Sequence, residues 1–257
     1  MAEPARYLYA ITRGLHDAAL AGERGLGDSS VELVHHRGLD AVVSTVDLGE
    51  FGEEALRRNL EDLAWLERVA RRHDEVVHAV AQRGPAAPLR LATVCLDDEG
   101  VRRRLDEWHD AMSAVLDRIT GRSEWSVKIV LPERPASAQS TEETQASGPG
   151  SGAAYLMRKK RETELRATAE QDAAAQADRV YDALGAASVA GRRLQPQDPR
   201  LSGHQGTMTL NAAFLVDDEA SGAFTDAVAA VSPDLPYGAL QVAGPWPPYS
   251  FATLEAQ

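Results

Sequence analysis

The seven histidines are the residues of this sequence best suited to bind a metal or to transfer a proton near neutral pH. His73 and His78 stand five positions apart in the string HDEVVH. On a helix they would point about 140° apart, so they cannot ligate one ion together. The string also lacks the four-residue spacing and the glutamate of the zinc-protease motif. We therefore interpret both histidines as helix-packed or solvated residues.

The other polar groupings match no catalytic or cofactor-binding pattern. Asp106, His109 and Asp110 fall within one helical turn, which would suit a weak metal site or a general base but is more typical of a solvated helix face. The chain lacks GxGxxG after a strand, GxSxG and CxxC. Its single cysteine, Cys95, lies in the apolar string LRLATVCL and is typical of a buried thiol. We predict no catalytic, metal-binding or cofactor-binding residue, and no enzyme activity.

A short basic run stands out because the chain has a formal net charge of −12. It consists of Arg158, Lys159, Lys160 and Arg161. Carboxylates or a phosphate group of a partner would bind there, whereas ion pairs with Glu162 and Glu164 would make it an ordinary solvated helix face. Because the surface as a whole repels polyanions, nucleic acid is not an expected partner.

The segment GPWPPYSF near the C-terminus has the most distinctive composition. Its prolines lack backbone donors and fix φ, so the segment is expected to be stiff and extended. Its aromatic residues present large rigid surfaces that either complete a core or anchor a partner. Both roles stay open for Gly244, Pro245, Trp246, Pro247, Pro248, Tyr249 and Phe251, and we predict that the segment packs against the last sheet.

Two similar series of elements are expected to position these segments. The first has strands at residues 7–12, 31–36, 39–47 and 89–96, a short helix near 15–21 and an amphipathic helix over 53–83. The second has strands at 125–131, 189–194, 207–216 and 237–243, and helices over 153–187 and 217–231. The order βαββαβ is typical of a ferredoxin-like unit, an antiparallel sheet with helices on one face. We therefore predict an α+β fold of two such units with long helices packed on the sheets.

The boundary between the two units is predicted at a connecting helix that ends near Thr120. A length of 257 residues accommodates two domains, which we assign to residues 1–120 and 121–257. Asp97 or Asp98 is expected to cap the connecting helix, and Arg37 with Gly38 to form a hairpin turn. The stretch at about 132–152 is rich in Pro, Ser, Thr and Gly and is predicted to be a flexible loop.

Neither a secretory signal nor a membrane span is indicated by the sequence. The N-terminus has no basic start with a long apolar stretch behind it, and no run approaches the roughly 20 apolar residues of a spanning helix. We expect a cytoplasmic protein without a membrane partner.

GPWPPYSF closely resembles the C-terminal signature of the gas vesicle protein F/L family. Other strings occur in the order that the family shows: YLYAIT, LAWLERVARRHDEVVHAV, PLRLATVCLDDEGVRRRL, EWSVKIV, YLMRKKRE and LNAAFLVDD. The resemblance spans nearly the whole chain. At PLRLATV many members have Phe and Gly where Leu91 and Ala92 stand, which leaves the F and L branches both open.

The resemblance implies an accessory or minor structural protein of gas vesicle assembly and hence of buoyancy. Such a protein would bind the main shell protein during nucleation or growth, together with other accessory proteins, and would lie in the cytoplasm and on the gas vesicle. The expected binding surfaces are the long helices and the proline–aromatic segment. Two alternatives stay open: a haem-binding or enzymatic protein on a tandem ferredoxin-like scaffold, and a ligand-sensing interaction module with a pocket between its units.

Overall fold

The computed structural model describes residues 3–131, 151–196, 206–232 and 238–252. The chain forms two compact units, one of Met1–Glu124 with Gly244–Gln257 and the other of Trp125–Ala243. The C-terminal segment therefore belongs with the first unit, although the sequence predicts it in a domain of residues 121–257. The loop predicted at about 132–152 falls largely on residues 132–150, which lie outside the described residues.

The first unit is built on an antiparallel sheet of five strands. These are β1 (Pro4–Thr12), β2 (Val31–His36), β3 (Leu39–Asp47), β4 (Ala87–Pro88) and β5 (Val94–Cys95). The order is β2-β3-β1-β4, and β5 also pairs with β1. Arg37 and Gly38 both have positive φ, 51° and 81°, as the tight turn between β2 and β3 requires. The predicted hairpin is confirmed.

The strand predicted over residues 89–96 is interrupted. Only β4 and β5 pair with β1, and the chain between them turns through Ala92, whose φ is +62°. The Ala92 N–H donates to the Tyr7 hydroxyl at 3.1 Å. A tertiary hydrogen bond therefore replaces the strand pairing that the apolar sequence of this segment favours.

Four helices belong to the first unit: α1 (Leu48–Phe51), α2 (Glu53–Asn59), α3 (Leu63–Ala81) and α4 (Asp98–Ile119). The single helix predicted over 53–83 is wrong, because the chain is interrupted between α2 and α3. Asp62 is extended there, and its carboxylate accepts the N–H groups of Ala64 and Trp65 to cap α3. Asp97 caps α4 by accepting the Gly100 N–H, as predicted.

The helices α3 and α4 cover opposite faces of the first sheet. Val69, Val76 and Val77 of α3 are buried in one cluster with Tyr7 and Tyr9 of β1. The side chain of Leu8, between these tyrosines, points to the other face of the sheet, since successive strand residues alternate between faces. The buried residues of α4 lie outside that cluster: Val101, Leu105, Met112, Val115, Leu116 and Ile119. The predicted connecting helix is thus part of the first unit's core.

The second unit has a sheet of four strands in the order β7-β8-β6-β9. They are β6 (Arg122–Leu131), β7 (Ala190–Arg193), β8 (Thr207–Asp217) and β9 (Ala239–Trp246). Among its described residues, α5 (Ser151–Ala186) and α6 (Ser221–Val231) are α-helices. Its core includes Trp125, Ile129, Leu184, Phe214 and Phe224.

Both sheets have the same connectivity. In each, the third strand lies between the first and the second, and the fourth lies beside the first, as the split βαβ arrangement of a ferredoxin-like unit requires. The predicted α+β fold class is confirmed. In the described parts of the chain, no helix has the length and apolarity needed to cross a membrane.

Candidate interaction surfaces

The proline–aromatic segment begins within β9, which ends at Trp246, and its later residues pack in the first unit. Tyr249 contacts the cluster that α3 forms with β1, and its hydroxyl donates to Asp74 Oδ1 at 3.0 Å. Burial raises the pKa of Tyr249 far above its usual value, so the hydroxyl stays protonated and remains a donor. The sequence predicts that the segment packs against the sheet of the second unit, but Tyr249 packs against the core cluster of the first unit.

Polar contacts fix the residues that follow. The backbone N–H and the hydroxyl of Ser250 donate to the two carboxylate oxygens of Glu124, each at 2.7 Å. Glu124 is itself buried. The carbonyl of Phe251 accepts a hydrogen bond from Arg118, and the Phe251 ring is buried. These contacts are typical of a structural segment, because both polar and apolar groups are satisfied inside the unit.

The residues of the proline–aromatic motif do not share one environment. Pro247, Pro248 and Phe251 are buried, whereas Trp246 is 45% exposed and Pro245 is exposed. The motif thus divides into a packed part after Trp246 and an accessible part up to it. A partner could reach the indole without disturbing the core.

His73 is a structural residue of the first unit. Its Nδ1 lies 3.0 Å from the Tyr7 hydroxyl, which already accepts the Ala92 N–H. The hydroxyl proton is therefore directed to Nδ1, and the neutral ring carries its own proton on Nε2, which is buried without a hydrogen-bond partner in the described structure. Burial lowers the pKa of His73 to about 4, against the opposing effect of the Asp74 charge. His78 is exposed on another side of α3, so the two histidines do not converge.

The acid–histidine grouping on α4 contacts the β2–β3 hairpin. Asp106 accepts a hydrogen bond from Arg37 at 3.0 Å, and hydrogen bonds from His36 and Arg37 hold the pKa of Asp106 below its usual range. His109 Nδ1 lies 3.0 Å from Asp110, and this hydrogen bond lowers the pKa of the Asp110 carboxyl. Among the described residues, no group of three or more His, Cys, Asp or Glu side chains is arranged to hold a metal ion.

A cavity of 1330 Å³ lies in the first unit. Its walls come from α3, α4, the segment at 88–93 and the proline–aromatic segment. Leu91, Trp108 and Met112 supply apolar wall, and Arg90 and Glu107 supply charge. The volume exceeds the roughly 300–1,000 Å³ that is typical of small-molecule sites, and the lining contains both charge signs.

The basic run lies near the start of α5, at Arg158, Lys159, Lys160 and Arg161. The side chains of Lys159, Lys160 and Arg161 are exposed. Lys160 Nζ lies 3.9 Å from Glu164 Oε1, a long and solvated contact that contributes little to stability. Ion pairing along the helix, one of the two interpretations of this run, therefore accounts for Lys160 but not for Lys159 or Arg161 among the described residues.

In the first half of α5, the side chains that the structure describes are exposed. Every described side chain from 156 to 172 is exposed, and the buried positions of the helix begin near Ala177. Leu156, Met157 and Leu165 are 66%, 76% and 64% exposed. A helix gains most of its stability in a protein by packing an apolar face, so this half is expected to meet a partner.

Sequence reasoning missed this exposed apolar surface and the polar contacts of the proline–aromatic segment. One signal was available for the first. Leu156, Met157 and Leu165 do not continue the regular three- and four-residue spacing of Ala177, Val180 and Leu184, so they cannot lie on the packed stripe. For Asp74, Arg118 and Glu124, nothing local in the sequence indicates a contact with the C-terminal segment.

The fold and these surfaces define an α+β protein with two ferredoxin-like sheets and a long helix whose described side chains from 156 to 172 are exposed. Crystal structures with this fold are known. That of the gas vesicle protein GvpF from Anabaena sp. PCC7120 matches with a TM-score of 0.68 at 20% identity, covering 98% of each chain. That of GvpF from Microcystis aeruginosa matches with a TM-score of 0.66 at 19% identity, covering 97% of this chain and 99% of that one.

Comparison of sequences identifies the family. The family model described as "Gas vesicle synthesis protein GvpL/GvpF" matches residues 5–253. Gas vesicle protein L of Streptomyces sp. (strain CB03234) is 40% identical over 252 residues, which span 98% of this chain and 94% of that protein. Gas vesicle protein F of the same strain is 26% identical over 257 residues, spanning 95% and 98%.

The chain belongs to the GvpL/GvpF family of gas vesicle proteins, as its sequence motifs predict. Membership implies a part in gas vesicle assembly. These relatives are named as gas vesicle proteins and not as enzymes. The identity to protein L of the Streptomyces strain is higher than that to its protein F.

Proposed function

We propose that this protein binds the main gas vesicle shell protein during nucleation or growth of the vesicle. The observation that supports this most is the exposure of the described side chains in the first half of α5, where three large apolar side chains and three cations face solvent. In this proposal the protein acts in the cytoplasm, at the nascent or finished vesicle, alongside other accessory proteins.

The physical basis is capture of an apolar subunit before it is built into the shell. Burial of an exposed leucine or methionine side chain contributes about 1.5–3 kcal/mol, so the three on α5 can supply substantial binding energy. The cations beside them, Lys159 and Arg161 in particular, keep this half of the helix well hydrated until a partner arrives. Neither contribution needs a catalytic group.

A direct binding measurement tests the proposal. The purified full chain is passed over immobilised shell protein, with an unrelated acidic protein of similar size as the control. We expect saturable binding that the control lacks. Absence of binding, together with normal gas vesicles in a strain from which the gene has been deleted, would contradict the proposal.

Ligand sensing is a second candidate, which the cavity of the first unit favours. Its apolar walls and its mixture of arginine and carboxylate side chains would suit an amphipathic molecule. A ligand there would raise the melting temperature of the full chain, and the rise would continue with the logarithm of ligand concentration above its Kd. An absorbance spectrum of the purified protein tests the haem-binding alternative at the same time, since bound haem gives a Soret band.

A further inference from the structure

Three side chains on the exposed half of α5 form a row along one side of the helix. Met157, Arg161 and Leu165 follow one another at four-residue intervals, so each lies one turn above the last and about 40° around the axis. The row is about 12 Å long. Its two ends are large apolar side chains, and its centre is a guanidinium group. We refer to these three residues as the α5 row.

Among the residues that the structure describes, none forms an ion pair with the charge at the centre of the α5 row. Arg161 is exposed and forms no ion pair among the described residues, whereas Lys160 on another side of the helix has Glu164 within 4 Å, at 3.9 Å. A guanidinium group readily donates two parallel hydrogen bonds to a carboxylate. An exposed arginine between two exposed apolar side chains therefore presents a defined binding pattern.

The charge of the whole molecule makes this pattern selective. The chain carries a formal charge of −12, so most of its surface repels an acidic partner. Near the start of α5 the sign is reversed over four consecutive residues, Arg158 to Arg161. An acidic partner would be steered to this part of the surface and held off elsewhere.

We propose that the α5 row docks an apolar segment of the shell protein that carries one acidic side chain. The carboxylate pairs with Arg161, and the apolar residues on either side of it cover Met157 and Leu165. The inference rests on the proposed function and makes it specific, because it names the surface and the chemistry of the segment that binds there. A second copy of this chain is the competing occupant, since the later part of α5 carries acidic residues.

Charge reversal at two nearby positions distinguishes the contribution of the α5 row to binding from that of the rest of the basic run. Arg161→Glu changes the centre of the row, and Lys159→Glu makes the same charge change two positions earlier, about 160° around the helix. Both side chains are exposed, so both variants are expected to fold normally, which circular dichroism and thermal melting check. Met157→Gln and Leu165→Gln remove the apolar ends without changing charge.

The full-length variants are compared with the unmodified chain for binding to immobilised shell protein. We expect Arg161→Glu, Met157→Gln and Leu165→Gln each to weaken binding about tenfold or more, and Lys159→Glu less than about threefold. The effect of Arg161→Glu should shrink as salt is raised, while those of the glutamine variants should persist.

Two results would overturn the inference while leaving the proposed function intact. One is shell-protein binding that all three row variants retain. The other is a concentration-dependent dimer of the full chain that Arg161→Glu abolishes, which would assign the α5 row to a second copy. If the unmodified chain does not bind shell protein at all, the proposed function fails and the inference fails with it.

Discussion

The buried imidazole of His73 gives the first unit a dependence on pH that one substitution should remove. Folding buries this ring against Tyr7 and Tyr9 and lowers its pKa to about 4. In the unfolded chain a histidine has a pKa of about 6.5. The substitution we consider is His73→Gln, which keeps a polar side chain in the core but cannot titrate.

The sign and size of the effect follow from proton linkage. Between pH 6.5 and pH 4 the unfolded chain binds a proton at His73 that the folded chain does not, so the free energy of unfolding falls as the pH falls. A difference of about 2.5 pKa units at 1.36 kcal/mol each gives about 3 kcal/mol in full, of which about 2 kcal/mol is lost between pH 7 and pH 4.5. Above pH 7 the contribution of His73 to the pH dependence of stability vanishes, because the ring is neutral in both the folded and the unfolded chain.

The assay is urea unfolding at pH 7 and at pH 4.5, followed by circular dichroism. Carboxyl groups also titrate in this range, so the informative quantity is the loss of stability in the unmodified chain minus the loss in His73→Gln. We expect about 2 kcal/mol. His78→Gln is the matched control, because His78 lies exposed on the same helix.

Equal pH dependence in the unmodified chain and in His73→Gln would refute the reasoning. So would a His78→Gln variant that loses as much of the dependence as His73→Gln does. Either result would show that the buried ring is protonated in the folded state or that its proton exchange is not linked to unfolding.

Three further predictions concern stability and are read from urea unfolding at pH 7. Ala92→Gly should raise the free energy of unfolding by about 0.5–1 kcal/mol, because Ala92 holds a φ of +62° that glycine adopts without strain; a fall would contradict this. Tyr249→Ala should cost about 3 kcal/mol and Trp246→Ala less than half as much, because the indole is 45% exposed; equal costs would show that both rings are packed. Glu124→Gln should cost about 1–2 kcal/mol, because the buried carboxylate accepts two hydrogen bonds from Ser250; an unchanged midpoint would count against those bonds.

Local patterns were sufficient to predict most elements of the fold. The glycine at 38 with Arg37 before it specifies a tight hairpin, and Asp97 specifies the start of α4, because both effects depend on neighbouring residues alone. The repeated βαββαβ order then predicts two similar sheets. These features lie where backbone preference and tertiary structure agree.

The elements that were wrong depend on contacts that are distant in the sequence or on a competing local signal. The strand at 89–96 is broken because the Tyr7 hydroxyl takes the N–H of Ala92. The helix at 53–83 is broken at Asp62, whose carboxylate caps a new helix although the apolar spacing continues through it. The spacing of apolar residues in the sequence contains no information about either hydrogen bond.

The candidate sites show the same division. The basic run at 158–161 is visible in the sequence. The exposure of the described side chains around it is not, because mixed charge is also typical of a packed amphipathic helix. The proline–aromatic segment is equally visible. Its position in the first unit depends on Asp74 and Glu124, which lie more than a hundred residues away.

Hydrogen–deuterium exchange of the full chain, with and without the shell protein, tests most directly whether the first half of α5 is the binding surface. Its amides should exchange quickly in the free chain, because the described side chains from 156 to 172 are all exposed. We expect the shell protein to slow exchange over residues 156–172 and to leave α3 unchanged. Protection confined to the cavity or to the proline–aromatic segment, with α5 unaltered, would contradict the assignment.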